Sequence, residues 1–187
     1  MQVFRNKAVL LLAGSDMLQN LAIWIRNMAI LYFITDQSEG NPVAVSLIMV
    51  MEYLPIFVFS IIGGALADRW KPKRTMILGD LLSAASIVLI IVILNSGIWP
   101  VLYAATFVSS VVSQFSQPSS LKIVKRNVSG EHVRAAVAMT QSLQSLFLIV
   151  GPIIGTLIYT ALGIETSLYS LVALFLLSSM LLSFLPK

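Results

Sequence analysis

Apolar residues come in six long runs, interrupted at short intervals by polar ones. The runs are Ala8–Thr35, Val43–Ala67, Thr75–Ser96, Trp99–Ser120, Val133–Thr160 and Ser167–Pro186. At about 1.5 Å of rise per residue, each can cross a hydrocarbon core of roughly 30 Å. They lack strict alternation and are too long for tilted strands, which argues against a membrane barrel. The pattern therefore predicts an all-α membrane protein with six transmembrane helices. The connections are tight. Asp36, Glu39, Gly40 and Pro42 form one turn, and Gly97 marks a hairpin between spans three and four. No insertion is large enough for an extramembrane catalytic domain. Arg5 and Lys7 precede the first run as in a signal peptide. Its apolar stretch before Gly14-Ser15-Asp16 is short and then resumes, so an uncleaved first span is expected.

The bases set the orientation. Arg5 and Lys7 precede span one, Arg69, Lys71, Lys73 and Arg74 follow span two, Lys122, Lys125, Arg126 and Arg134 flank the polar stretch before span five, and Lys187 ends the chain. The opposite loops hold Asp36, Glu39 and Glu165 and no base. Positive charge collects on the cytoplasmic side, so both termini are expected there.

Composition agrees. Of 187 residues, 58% are hydrophobic and 11% charged, against about 25% charged in a soluble domain. Mean hydropathy is +0.92. A soluble enzyme and a disordered tail are excluded. The net charge of +4 sits in loops, so it reads as topology and not as a nucleic-acid surface. No cysteine and a single histidine, His132, leave no thiolate or multi-histidine metal site. No G-x-x-x-x-G-K-[ST] loop is present, which excludes an ATP-driven pump for this chain. Carboxylates scattered over several spans argue against a membrane enzyme, and no cofactor is expected.

After span two the chain reads Gly63-Gly64-Ala65-Leu66-Ala67-Asp68-Arg69-Trp70-Lys71-Pro72-Lys73-Arg74. Small residues let helices approach, the acid can pair or cap, and the bases anchor the loop. This run resembles the signature of the major facilitator superfamily between its second and third spans, G-x-L-A-D-R-x-G-R-[RK]. Gly64, Leu66, Ala67, Asp68, Arg69 and Lys73 match, while Lys71 and Pro72 depart. In span five, Gly151-Pro152-Ile153-Ile154-Gly155 resembles the core of the antiporter motif of drug exporters, with Phe147 and Thr156 in place of two of its glycines. Pro152 is expected to bend that helix. The loop from Gln117-Pro118 to Ala136 resembles the macrolide-type efflux branch. The resemblance implies an N-terminal six-helix half of 3+3 inverted repeats, residues 1–96 and 97–187. It implies a gate at Gly64, Asp68, Arg69, Lys73 and Arg74, and a seal at Gly151, Pro152 and Gly155. The arginine that many proton-coupled exporters carry in span four is absent, with Ser109 or Ser110 at its position.

A charge in hydrocarbon costs a few kcal/mol and must be paired, wetted or functional. Arg26 and Glu52 each lie roughly 13 Å from the outer surface, on spans expected to be neighbours. They are expected to face one another, either as a proton-sensitive pair or as a static ion pair. Asp16, Gln19, Asn20, Ile23, Arg26 and Asn27 step at three and four, forming one stripe on span one. Thr106, Ser110, Ser113, Gln117 and Ser120 repeat this on span four, and Gln141, Gln144 and Ser145 add to it on span five. Such stripes either line a watered cavity or serve interhelical packing. Asp16, Gln19, Asn20, Arg26 and Glu52 are the candidates for coupling or substrate binding. Asp80 is expected to be structural, paired with the basic loop or with an amide from a neighbour. Trp24, Tyr32, Tyr53, Phe57, Phe59 and Tyr103 either wall a cavity for a lipophilic cation or face lipid.

The resulting expectation is half of a secondary transporter, exporting small lipophilic drugs of macrolide type in exchange for protons. Its partners would be the bilayer, its substrate, protons, and a C-terminal six-helix half or a homologous chain. The alternative is a non-transporting half that acts as a membrane scaffold or regulator of a full transporter.

Overall fold

A computed structural model describes residues 7–67, 69–128 and 131–185. Five helical elements account for nearly all of them: α1 (Lys7–Gln37), α2 (Pro42–Ala67), α3 (Pro72–Asn95), α4 (Val101–Asn127) and α5 (Glu131–Ser183). No strand occurs among the described residues.

The turns end where the sequence punctuates them. Glu39 and Gly40 take positive φ of 53° and 74°. The Asn41 side chain then accepts the Val43 N–H at 2.9 Å, and Pro42 opens α2. Gly97, at φ 85°, closes the hairpin after α3. Pro72 occupies the first position of α3, where the missing N–H costs nothing.

Two features differ from the sequence expectation. α5 carries spans five and six as two helices with no connecting loop, together 53 residues, which at about 1.5 Å per residue is far too long for a single crossing. It breaks only at Gly163 (φ 74°, ψ −177°), dividing it into a first arm, residues 131–162, and a second arm, residues 164–183. A single glycine reverses the path, and the Ser167 hydroxyl returns to the Gly163 carbonyl at 2.7 Å. Pro152 lies within the first arm, whose backbone stays helical there, so the break belongs to the glycine and not the proline. The stretch from Lys122 to Arg134 is also not a loop. α4 runs on to Asn127 and α5 starts at Glu131. Lys125 and Arg126 sit in the last turn of α4, where cations meet the negative end of the helix dipole.

Among the described residues, four stretches are long and apolar enough to cross a membrane: Lys7–Gln37, Pro42–Ser60, Pro72–Asn95 and Val133–Ser183, the last covering both arms. α4, read from sequence as the fourth span, falls short because serines and glutamines interrupt its apolar residues.

α1 is packed between the two arms of α5, and α4 between α2 and α3; α3 also packs on α5. α1 and α2, expected as neighbours through their hairpin, touch only sparsely, because α2 lies along α4. Glycine sets the closest approach of α1 to the first arm. A Cβ at Gly151 would collide with the Trp24 indole, and one at Gly155 would lie 2.6 Å from the Trp24 carbonyl oxygen.

The core falls in two parts. One gathers Ala22, Ile25, Ile30, Ala84, Ile87, Leu168, Leu171 and Phe175 with their neighbours. The other gathers Ala8, Leu12, Met76, Ile123, Leu182 and Leu185 with theirs. Between them, on α1, α3 and the second arm alike, the chain places polar residues.

Candidate functional site

That polar layer is built from four side chains on three helices. Gln19 Nε2 donates to Asp80 Oδ1 at 2.8 Å, and the Ser178 hydroxyl donates to Asp80 Oδ2 at 2.6 Å. Ser15 and Ser178 hydroxyls lie 2.7 Å apart, and Gln19 Nε2 also reaches Ser178 at 3.2 Å. Ser15, Asp80 and Ser178 are buried. Both carboxyl oxygens of Asp80 thus accept a hydrogen bond away from bulk water, which offsets part of the cost of burying an acid. Of the two partners considered for Asp80, the structure supplies an amide, with a hydroxyl added, and not the basic loop.

Gln19 and Asp80 of this layer face a cavity of about 490 Å³. Asp16, Gln19 and Asn20 of α1 line it, with Asp80 and Ser83 of α3 opposite. α4 contributes Ser109, Ser113, Ser116 and Gln117, and the first arm of α5 contributes Gln141 and Gln144. The stripes on α1, α4 and α5 therefore converge, although not entirely. Thr106 and Ser110 of the expected α4 stripe are buried in packing, and Ser109 and Ser116 take their place at the cavity. Among the described lining residues there are two carboxylates and no lysine, arginine or histidine. None of the aromatic residues put forward from sequence lines it. Trp24 packs over Gly151, Tyr32 stacks on Tyr159 with ring centres 5.7 Å apart, Phe59 meets Phe115, and the Tyr103 hydroxyl donates to the Ala44 carbonyl at 2.8 Å. Tyr53 and Phe57 are exposed on α2, and the ring in the cavity wall is that of Phe175.

Arg26 lies about 15 Å further along α1 than Asp16. It is buried, and its Nη2 stands 3.8 Å from Glu52 Oε1. Its shorter contacts are to Asn27 Oδ1, from Nη2 at 2.7 Å and Nε at 3.1 Å. The pairing with Glu52 read from sequence is present, and the neighbouring amide carries the guanidinium as well.

The gate residues separate. Gly64 belongs to α2, and Asp68 lies outside the described residues. Arg69 and Arg74 are exposed. Lys73 turns to the end of α5, where its Nζ donates to the Ser183 carbonyl at 2.8 Å and the Leu185 carbonyl at 2.5 Å. It satisfies carbonyls that the helix end leaves open. Sequence reasoning missed Ser178, since a serine in an apolar run carries no signal of its own. Its spacing from Phe175 and Leu182, both core-facing, would have placed it on the buried side.

The family model of the Major Facilitator Superfamily matches residues 12–187. The chain belongs to that superfamily. It is 29% identical over 183 residues to an uncharacterized MFS-type transporter, YkuC, of Bacillus subtilis (strain 168), covering 97% of this chain and 42% of that protein. A second from the same organism, YfiS, is 28% identical over 186 residues, covering 99% and 44%. Macrolide efflux protein A of Streptococcus pyogenes is 29% identical over 139 residues, covering 73% of this chain and 34% of that protein. The chain spans less than half the length of these relatives.

Proposed function

We propose that this member of the Major Facilitator Superfamily is the N-terminal six-span bundle of a bacterial secondary transporter. It exports lipophilic drugs of macrolide type in exchange for protons, by alternating access. The observation that carries this reading is the cavity: polar walls inside an apolar bundle, with two carboxylates and no base among its described lining residues. Such a space attracts cations and protons and excludes anions. Asp16 and Asp80 are the acids that would take up and release protons there. When Asp80 is protonated at Oδ2, that oxygen becomes a donor and its bond with Ser178 must reverse, while Oδ1 still accepts from Gln19. Asp80 thereby moves from the structural role expected of it to a coupling role, and Arg26 with Glu52 stays a second, outer candidate.

The macrolide assignment follows the printed function of the Streptococcus relative. α1 held between the arms of α5, and α4 held between α2 and α3, are the arrangement two inverted three-helix repeats would produce. On this reading both termini and the Arg69–Arg74 loop are cytoplasmic, Asp68 with Arg69 gates against the other half, and Gly151 and Gly155 seal α5 on α1. The working unit includes a C-terminal six-helix half or a homologous chain.

A scaffold or regulator without transport is the second reading. It is favoured by the exposed apolar face of α2, where Tyr53 and Phe57 stand clear of the bundle. One comparison separates the two. Cells expressing the native-length protein are loaded with radiolabelled erythromycin, with and without a protonophore. Protonophore-sensitive exclusion that is lost in Asp16→Asn and Asp80→Asn supports transport. Exclusion unchanged in both variants overturns the coupling assignment, and no exclusion from any form favours the scaffold.

A further inference from the structure

We propose that the groove between α3 and α4, at the end carrying the Arg69–Arg74 loop, binds an anionic phospholipid. The groove has a volume of about 640 Å³ and is separate from the central cavity. Arg69, Lys71 and Arg74 stand at its mouth, all exposed, and no acid is among its described lining residues. Below them the walls turn apolar. Arg74, Leu78 and Leu82 succeed one another at intervals of four along α3, so the cation heads a stripe about 12 Å long. Leu78 and Leu82 are 63% and 57% exposed, so this stripe is not covered by the bundle. Val111 and Phe115 supply the facing wall from α4. Trp70 closes the upper end, stacked on Phe115 with ring centres 5.7 Å apart. A tryptophan there sits at the membrane–water boundary, beside three cations and above an apolar channel.

The charge pattern selects the occupant. A free phosphate would satisfy the cations and leave the stripe bare. A neutral lipid would cover the stripe and leave the cations unmatched. An anionic phospholipid meets both, its phosphate among Arg69, Lys71 and Arg74 and an acyl chain along Leu78 and Leu82. Gly79 fixes the floor: a Cβ there would lie 3.0 Å from both Ser116 Oγ and Val112 Cγ1, so α3 and α4 already touch beneath the groove. This site is independent of the transport reading, and its test measures no transport.

The three tryptophans, Trp24, Trp70 and Trp99, provide the readout. The chain is reconstituted in phosphatidylcholine vesicles doped with either brominated phosphatidylglycerol or brominated phosphatidylcholine. The expected result is quenching at a mole fraction of phosphatidylglycerol about tenfold lower than of phosphatidylcholine. Trp70→Phe should remove the selective component, and R69Q/K71Q/R74Q should abolish the selectivity while K125Q/R126Q keeps it. Should the triple variant lose helicity by circular dichroism, the three single variants are read, each expected to lower the selectivity. Glycerol phosphate at millimolar concentration should not relieve quenching. Equal quenching by both lipids overturns the proposal, as does selectivity that survives in the triple variant. Relief by glycerol phosphate would show a free-phosphate site instead, and concentration-dependent protection from both lipids would show that a second copy covers the groove.

Discussion

At the scale of single residues, the structure distinguishes side chains that hold the bundle from those that expose it to chemistry. Gly151 and Gly155 belong to the first kind. Gly155→Ala places a methyl against the Trp24 carbonyl, which is backbone and cannot rotate away. We expect a loss of about 1–3 kcal/mol, as overpacking usually costs, read as a lower midpoint in detergent unfolding. Asp80 belongs to both kinds. Asp80→Leu removes the acceptors of Gln19 and Ser178, which keep only their contacts with each other and with Ser15, and a loss of about 1–3 kcal/mol is expected. Asp80→Asn keeps an acceptor and should cost less, so the difference between the two variants in the same unfolding assay isolates the hydrogen bonds. Glu52→Gln should cost under about 1 kcal/mol, because the pair is long at 3.8 Å and Asn27 still holds the guanidinium. A larger loss would mean that the ion pair, and not the amide, carries Arg26.

At the scale of helices, the runs of apolar residues and their turn residues were legible, and the terminations at Gln37, Ala67 and Asn95 follow from them. The facing of Arg26 and Glu52 was legible too, by counting inward from a shared hairpin. What was hidden had physical reasons. A polar stretch such as Lys122–Arg134 reads as loop by composition, yet lysine and arginine are good helix formers and extend α4 by almost two turns. One glycine between two apolar runs carries little turn signal, so a helix-to-helix junction at Gly163 with no connecting loop could not be separated from an ordinary hairpin. The second carboxylate of the cavity was hidden because Asp80's partners lie on α1 and the second arm of α5, both far away in sequence. Gly163→Ala tests the bend. Its φ of 74° strains any other residue, and a cost of about 1–3 kcal/mol is expected, with hydrogen exchange rising first at residues around the break. Lys73→Gln tests the other end of the same arm. It removes the bonds to the Ser183 and Leu185 carbonyls, so exchange should quicken in the last turn of α5 while the α1 amides stay protected.

At the scale of the whole molecule, two apolar regions are separated by a polar layer that joins α1, α3 and the second arm of α5. Mass of the native polypeptide decides how that molecule is completed. Probing the source membrane with an antibody to the N-terminus should show a band near twice 20.4 kDa or more, and a band at 20 kDa would leave the scaffold reading ahead. The polar layer also has a consequence in time. Ser178 lies 98 residues after Asp80 and 163 after Ser15. At about 5–20 residues per second of synthesis, roughly 5–20 s pass between the emergence of the acid and that of the hydroxyl that completes its shell. During that interval α3 must dwell in or beside the insertion machinery with an acid half-satisfied. A chain released before the second arm of α5 would leave that acid without its hydroxyl partner, marking it for membrane proteases. The second arm of α5 is thus the element that licenses α3 to stay.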